Sequence, residues 1–257
     1  MKHWTGWIIA LLAGMVSFQC ERKPVTETRK TVLTEFQNPS AEMRTAPLWV
    51  WNDRVDTVKI NEQLIDFREH GIGGVFIHPR PGLITPYLSQ EWLDLCAYTV
   101  NKGKALGMKV WIYDENSYPS GFAGGHVPAE MPDARVKGLQ HLQVKRLNQA
   151  MKQKPLVVLR KTADGFQDIT AELGRQSFGQ GEYHLFQLKE NEPSPWFGGF
   201  DYVDVMRKEV TEKFITTTMA AYQSSFGAEF GKTVPGVFQD EAHIVTAYDG
   251  AGDALLA

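Results

Sequence analysis

The sequence predicts an α/β fold in which parallel strands alternate with helices and a small β-rich insertion follows the third strand. Three observations carry this expectation. From Ala46 onward, short apolar runs alternate with longer segments of helical spacing, as βαβ units require. Between about Ala134 and Phe200 that rhythm gives way to strand-like pieces, and near Lys208 it returns. With 43% hydrophobic and 22% charged residues the chain can build a full core, which excludes disordered and polytopic membrane classes.

Pro47 to Asn52 (PLWVWN) is the first predicted strand, and Trp49 and Trp51 alternate with Val50 so that both indoles share one face. A helix opens near Asp56 or Thr57, carries Ile60, Leu64 and Phe67 at i, i+4 and i+7, and stops before Gly71. Gly73 to His78 (GGVFIH) is the second strand. Ser89 caps a second helix whose Trp92, Leu95, Cys96 and Val100 face inward and which Gly107 ends; Met108 to Tyr113 (MKVWIY) is the third strand. Within the insertion, strand-like runs lie at Leu139 to Leu147, Leu156 to Arg160 and Tyr183 to Leu188, and Asp164-Gly165 marks a hairpin. A helix from about Lys208 to Phe226, ended by Gly227, leads to a fourth strand, Val234 to Gln239 (VPGVFQ).

Four strands occupy the chain from Ala46 to Glu241, whereas a closed eight-stranded α/β barrel takes about 250 residues with short loops. Sixteen residues follow Glu241, including Asp249-Gly250-Ala251-Gly252, with no clear strand pattern. If the strands belong to a (β/α)8 barrel of the TIM type, the chain holds about four βα units of it and the C-terminal half is missing. The expected organisation is a signal peptide over 1–19, a tether over 20–35, the first part of the barrel over 36–133, the insertion over 134–200, the continuation of the barrel over 201–243 and a truncated tail over 244–257.

Lys2 and His3 precede an apolar run from Trp7 to Phe18, too short to cross a hydrocarbon core of about 30 Å but suited to a signal peptide. The run ends at Cys20 and looks like a bacterial lipoprotein signal, in which that cysteine becomes the lipidated first residue. The expectation is a chain exported to the cell envelope, periplasmic or on the outer-membrane surface, touching the membrane through a lipid at Cys20. Cys20 and Cys96 form no disulfide framework and lack metal spacing; Cys96, on an inward helix face, reads as a core hydrophobe. A net charge of -3 supplies no basic field to neutralise phosphates, which argues against nucleic acid as a partner.

In parallel α/β folds, functional groups gather at the C-terminal ends of the strands. Here each predicted strand ends in polar groups: Asn52 and Asp53, then His78 and Arg80, then Asp114, Glu115 and Asn116, then Asp240, Glu241 and His243. One such end is an ordinary helix cap. Four in succession, three with a carboxylate, point to a site. Carboxylates with aromatics, and no cysteine nucleophile or zinc-binding histidine cluster, suit carbohydrate chemistry, where one acid protonates the leaving oxygen and a second carboxylate activates water or attacks the sugar. Trp51, nearest its strand end, is the stacking candidate. Asp114 and Glu115 are adjacent and cannot both face one way unless the backbone turns. The loops Pro79 to Leu83 and Tyr118 to Gly125 are too rich in Gly and Pro for helices and are expected over a cleft; neither carries a phosphate-binding glycine motif.

PLWVWN, QLIDFREHGIGGVFIHPRPGLITPYLSQEW, GMKVWIYDENSYPSGFAGGHV and VTEKFITTTMAAYQSSFGAEFGKTVPGVFQDEAH resemble the N-terminal catalytic barrel of large bacterial glycoside hydrolases of the α-L-rhamnosidase type, family 106 and its unassigned relatives. The resemblance runs from about Phe36 to His243. It implies an exported hydrolase acting on plant or microbial polysaccharide, with a (β/α)8 catalytic domain and a carbohydrate substrate. Carried over by position, the carboxylates of VPGVFQDEAH match the catalytic acid, Glu241 chosen over Asp240. HPRPGL and YDENSYPSG match substrate-site loops, giving His78, Arg80, Asp114, Glu115 and Tyr118 binding roles beside Trp51, Asn52 and His243. The family's second carboxylate comes from a later strand, so the chain alone is expected to be catalytically incomplete. No cofactor is required; a calcium ion suits such oxygen ligands, although six are not identifiable. The competing expectation is a glycan-binding lipoprotein, or a remnant, without catalysis.

Overall fold

The computed structural model describes residues 32–148, 155–190, 192–244 and 254–256. The signal segment and Cys20 lie outside them. The chain divides into two compact units, Met1–Ser40 and Ala41–Ala257. Residues 32–37 of the first are helical.

In the second unit, strands β1 (Leu48–Trp51), β2 (Gly74–Pro79) and β3 (Lys109–Tyr113) pair in parallel in chain order. Helices α1 (Thr57–Glu69) and α2 (Gln90–Leu106) connect them. Both helices start where the sequence supplies a cap: Asp56 accepts the Lys59 N–H at 2.8 Å and Ser89 accepts the Trp92 N–H at 3.2 Å. Gly107 ends α2 in the left-handed conformation that glycine adopts without a side-chain clash. Gly103 lets α2 approach β3, for a Cβ there would lie 2.6 Å from Val110 Cγ2.

Strand alternation decides which side is core. Trp49, Trp51, Val75, Ile77, Val110 and Ile112 pack against Ile60 and Leu64 of α1 and Trp92, Leu95, Cys96 and Val100 of α2. Burying a side chain such as Leu64 contributes roughly 2 kcal/mol. The opposite face carries Leu48, Val50, Phe76, His78, Trp111, Tyr113 and Phe238, in register across the strands. Leu48 and Val50 are exposed there.

Helix α4 (Lys208–Phe226), which follows a short helix α3 (His126–Glu130), buries Val210, Phe214, Thr218, Tyr222 and Phe226 at intervals of four. Its first half packs with Phe122, Val127, Val136 and Val203, and its last turns join the main core, where Trp92 Nε1 donates to the Tyr222 hydroxyl at 3.1 Å.

An antiparallel sheet lies between β3 and α4 in sequence: β4 (Lys137–Val144), β5 (Val157–Thr162), β6 (Gly165–Asp168) and β7 (Tyr183–Glu190), with the β5–β6 hairpin turning at Asp164-Gly165. After α4, β8 (Val237–Phe238) joins β3 in parallel. It is shorter than Val234 to Gln239, because Pro235 has no N–H to give a ladder and Gly236 packs under Trp111. The tail, expected to lack strands, contributes β9 (Ala254–Leu256), antiparallel to β4. The result is a mixed α/β protein with a four-stranded parallel sheet, β1-β2-β3-β8, and a five-stranded antiparallel one, β6-β5-β7-β4-β9. The described strands close no barrel. No helix among the described residues is long and apolar enough to cross a membrane.

Candidate active site

The ends of β3 and β8 are tied together by side chains. Tyr113, the last residue of β3, donates its hydroxyl to Asp240 Oδ2 at 2.5 Å. Ser120 Oγ donates to Asp114 Oδ1 at 2.5 Å and accepts the Asp240 N–H at 2.8 Å, while the Ser120 N–H donates to the Asp240 carbonyl at 2.8 Å. Asp114 is buried, and loss of water pushes its carboxyl up to about 6 against the opposing Ser120 hydrogen bond.

Glu241 follows at a positive φ of 37°, a conformation costly for a residue with a Cβ and frequent at functional positions. Its carboxylate is exposed and accepts the hydroxyl proton of Tyr118 at Oε2. That bond raises the Tyr118 phenol to about 12. With its one proton committed to Glu241, the Tyr118 oxygen faces His243 Nε2 at 2.9 Å as an acceptor, which makes that nitrogen the protonated one. The His243 backbone N–H donates to the Tyr202 hydroxyl at 3.1 Å, and Tyr202 donates to the Ser120 carbonyl at 2.7 Å. Asp114, Tyr118, Asp240, Glu241 and His243 are thus brought into one hydrogen-bonded group.

Glu115 turns the other way. It is fully buried and accepts the N–H groups of Asn116, Gly121, Phe122, Ala123 and Gly124. Burial pushes its carboxyl up to about 8 although the backbone N–H groups of Asn116, Gly124, Ala123 and Gly121 pull the other way. All five hydrogen-bonding neighbours are backbone N–H donors, which favour the carboxylate against the burial that favours the acid. Glu115 shapes the loop, which is packed rather than draped over a cleft: Ser117, Ser120, Phe122 and Ala123 are buried.

His78 stacks on Tyr113 at 4.0 Å between ring centroids and is 2% exposed, with neither ring nitrogen hydrogen-bonded. Burial, then the positive charge of Arg80, lower its imidazole to about 4. Arg80 lines a cavity of about 330 Å³ with Asn116, Ser117 and Trp196. Trp51 stands apart from these groups, 4% exposed and edge-on to Trp49 and Trp92 in the helix-covered core. Asn52 is exposed at a second cavity of about 260 Å³ beside the β1–α1 turn.

Sequence reasoning missed Tyr113, Ser120, Tyr202 and Trp196. The first two lie inside the strand-end segment around Asp114. Tyr202 and Trp196 come from beyond β7, with no local signal. Among the described residues no three His, Cys, Asp or Glu side chains are arranged to hold a metal ion.

Mixed α/β architecture and a carboxylate-bearing rim at parallel strand ends define the class of site. No family model matches the chain, and no curated protein matches it. Among solved structures it is similar to a rhamnosidase from Novosphingobium sp. PP1Y, at 22% identity and a TM-score of 0.36 over 48% of this chain. The chain spans 12% of that structure's length, and so distant a likeness assigns neither family nor activity.

Proposed function

We propose that this chain carries the general acid of a glycoside hydrolase site of the α-L-rhamnosidase type, exported and lipid-anchored through Cys20, and acting on plant or microbial polysaccharide. The observation that supports it is the exposed Glu241 carboxylate at the β8 end, held in a strained backbone conformation and hydrogen-bonded by Tyr118, which His243 orients. In this reading Glu241, protonated at Oε1 while Oε2 accepts from Tyr118, delivers that proton to the glycosidic oxygen as the bond to the anomeric carbon breaks and water adds to that carbon, and Tyr118 fixes the carboxyl rotamer. Asp240, tied to Tyr113, stabilises the positive charge that develops on the sugar. The engagement of Asp114 and Asp240 by internal hydrogen bonds favours a second reading, glycan binding without turnover.

Hydrolysis of aryl rhamnosides tests the first reading. Turnover that Glu241→Gln abolishes while the fold is kept supports it, because glutamine retains the shape and has no transferable proton. Turnover indifferent to that substitution overturns the role of Glu241, and rhamnoside binding without turnover favours the second reading. Export and anchoring are checked by radioactive fatty-acid labelling, which Cys20→Ala must abolish.

A further inference from the structure

Arg80 has no charge partner. The residue is half-buried at the cavity it shares with Asn116, Ser117 and Trp196, and its guanidinium neither hydrogen-bonds nor ion-pairs with any described residue. The carboxylates of the neighbourhood are each committed elsewhere: Asp114 to Ser120, Asp240 to Tyr113, Glu241 to Tyr118 and Glu115 to the loop backbone. A guanidinium partly withdrawn from water and left unpaired is costly to the fold, and its planar fork matches a carboxylate bidentately.

Two more features of the same cavity point to a ligand. Asn116 Oδ1 is buried without a hydrogen-bond partner, an acceptor that a hydroxyl donor would satisfy. Trp196 leaves 43% of its surface exposed while its indole N–H is fixed on the Tyr118 carbonyl, so a flat apolar ring is presented in one orientation. A volume of about 330 Å³ lies at the small end of the range for ligand pockets.

We propose that this cavity is a subsite for an acidic sugar, a uronate residue of the glycan. Its carboxylate is taken by Arg80, one of its hydroxyls donates to Asn116 Oδ1, and its ring lies against Trp196. The proposal rests on the carbohydrate reading above and adds charge selectivity to it: the glycan that reaches Glu241 is acidic.

The test is titration of the full chain with galacturonate, galactose and galactose 6-sulfate, followed by saturation-transfer NMR and calorimetry, with rhamnoside binding and turnover measured separately. Galacturonate is expected to bind about tenfold tighter than galactose at low salt, a preference that shrinks as salt rises. Arg80→Gln removes the preference, and Trp196→Ala weakens both sugars alike, with the far-UV spectrum and melting temperature confirming the fold of each variant. Equal affinity for acid and neutral sugar, or a preference that survives Arg80→Gln, overturns the subsite and leaves the rhamnosidase-type reading to its own assay. Tighter binding of the sulfate ester overturns the uronate assignment. Absence of binding by all three overturns the subsite as well, whatever the rhamnoside assay gives.

Discussion

The Tyr113 hydroxyl donates to Asp240 Oδ2 at 2.5 Å, so the last residue of β3 reaches across to the end of β8 and braces a strand only two residues long. Tyr113→Phe keeps the ring that stacks on His78 and removes the donor. A hydrogen bond to a charged group contributes about 1.5 to 3 kcal/mol. Urea unfolding of the variant should show a loss of about that size; an unchanged midpoint would mean that water replaces the hydroxyl at no cost.

Glu115→Gln replaces two acceptor oxygens by one and sets an amide NH2 against backbone donors. The expected loss is about 1 to 3 kcal/mol for each backbone donor left unsatisfied. Hydrogen exchange should quicken first at the amides of Gly121, Phe122, Ala123 and Gly124, which donate to this side chain. Retained protection there would contradict the role given to Glu115.

Asp114 and His78 titrate in opposition. Burial raises the Asp114 carboxyl from 3.8 to about 6, so its contribution to stability is present at low pH and is lost as pH rises through that interval. Burial lowers His78 from 6.5 to about 4, so its contribution is present above 6.5 and is lost as pH falls toward 4. Between about pH 4 and 6 the two slopes oppose each other. Asp114→Asn removes the first. Its unfolding free energy should therefore rise with pH across this window more steeply than that of the parent chain, by on the order of 1 to 2 kcal/mol. Identical pH profiles for the two proteins are the contrary result.

Gly198 and Gly199 both hold positive φ, but only Gly198 is crowded: a Cβ there would stand 2.5 Å from the Gly124 carbonyl oxygen, and one at Gly199 would meet nothing within 4 Å. Gly199→Ala is expected to cost about 1 kcal/mol in backbone conformation, and Gly198→Ala at least about 1 kcal/mol more by prising the Trp196 turn from the loop it covers. Thermal melts of the pair decide this; equal melting temperatures would count against it.

Features written locally were legible in the sequence. Asp56 and Ser89 cap their helices because a short oxygen three residues before an N–H acts whatever the tertiary context. The parallel strands announced themselves as apolar runs. Alternation placed Trp49 and Trp51 on one face without saying which face the helices cover; Trp92, a whole βα unit later, decides that Trp51 is core. The adjacency of Asp114 and Glu115 implied a turn of the backbone, and the structure separates them, one toward Ser120 and one into the loop. What no local pattern carried was the reach of Tyr202 and Trp196, or the pairing of Ala254–Leu256 with β4, since each depends on a partner distant in the chain.

The bond between Tyr118 and His243 joins residues 125 positions apart, whereas Glu115 reaches its farthest loop donor, Gly124, over nine. On a ribosome adding about 5 to 20 residues per second, the loop can fold around Glu115 almost as soon as it emerges, and His243 follows roughly 6 to 25 seconds later. Assembly therefore has a clock: the scaffold of the strand-end cluster is set early and locally, and the proton-bearing partners arrive only when the last parallel strand has been made.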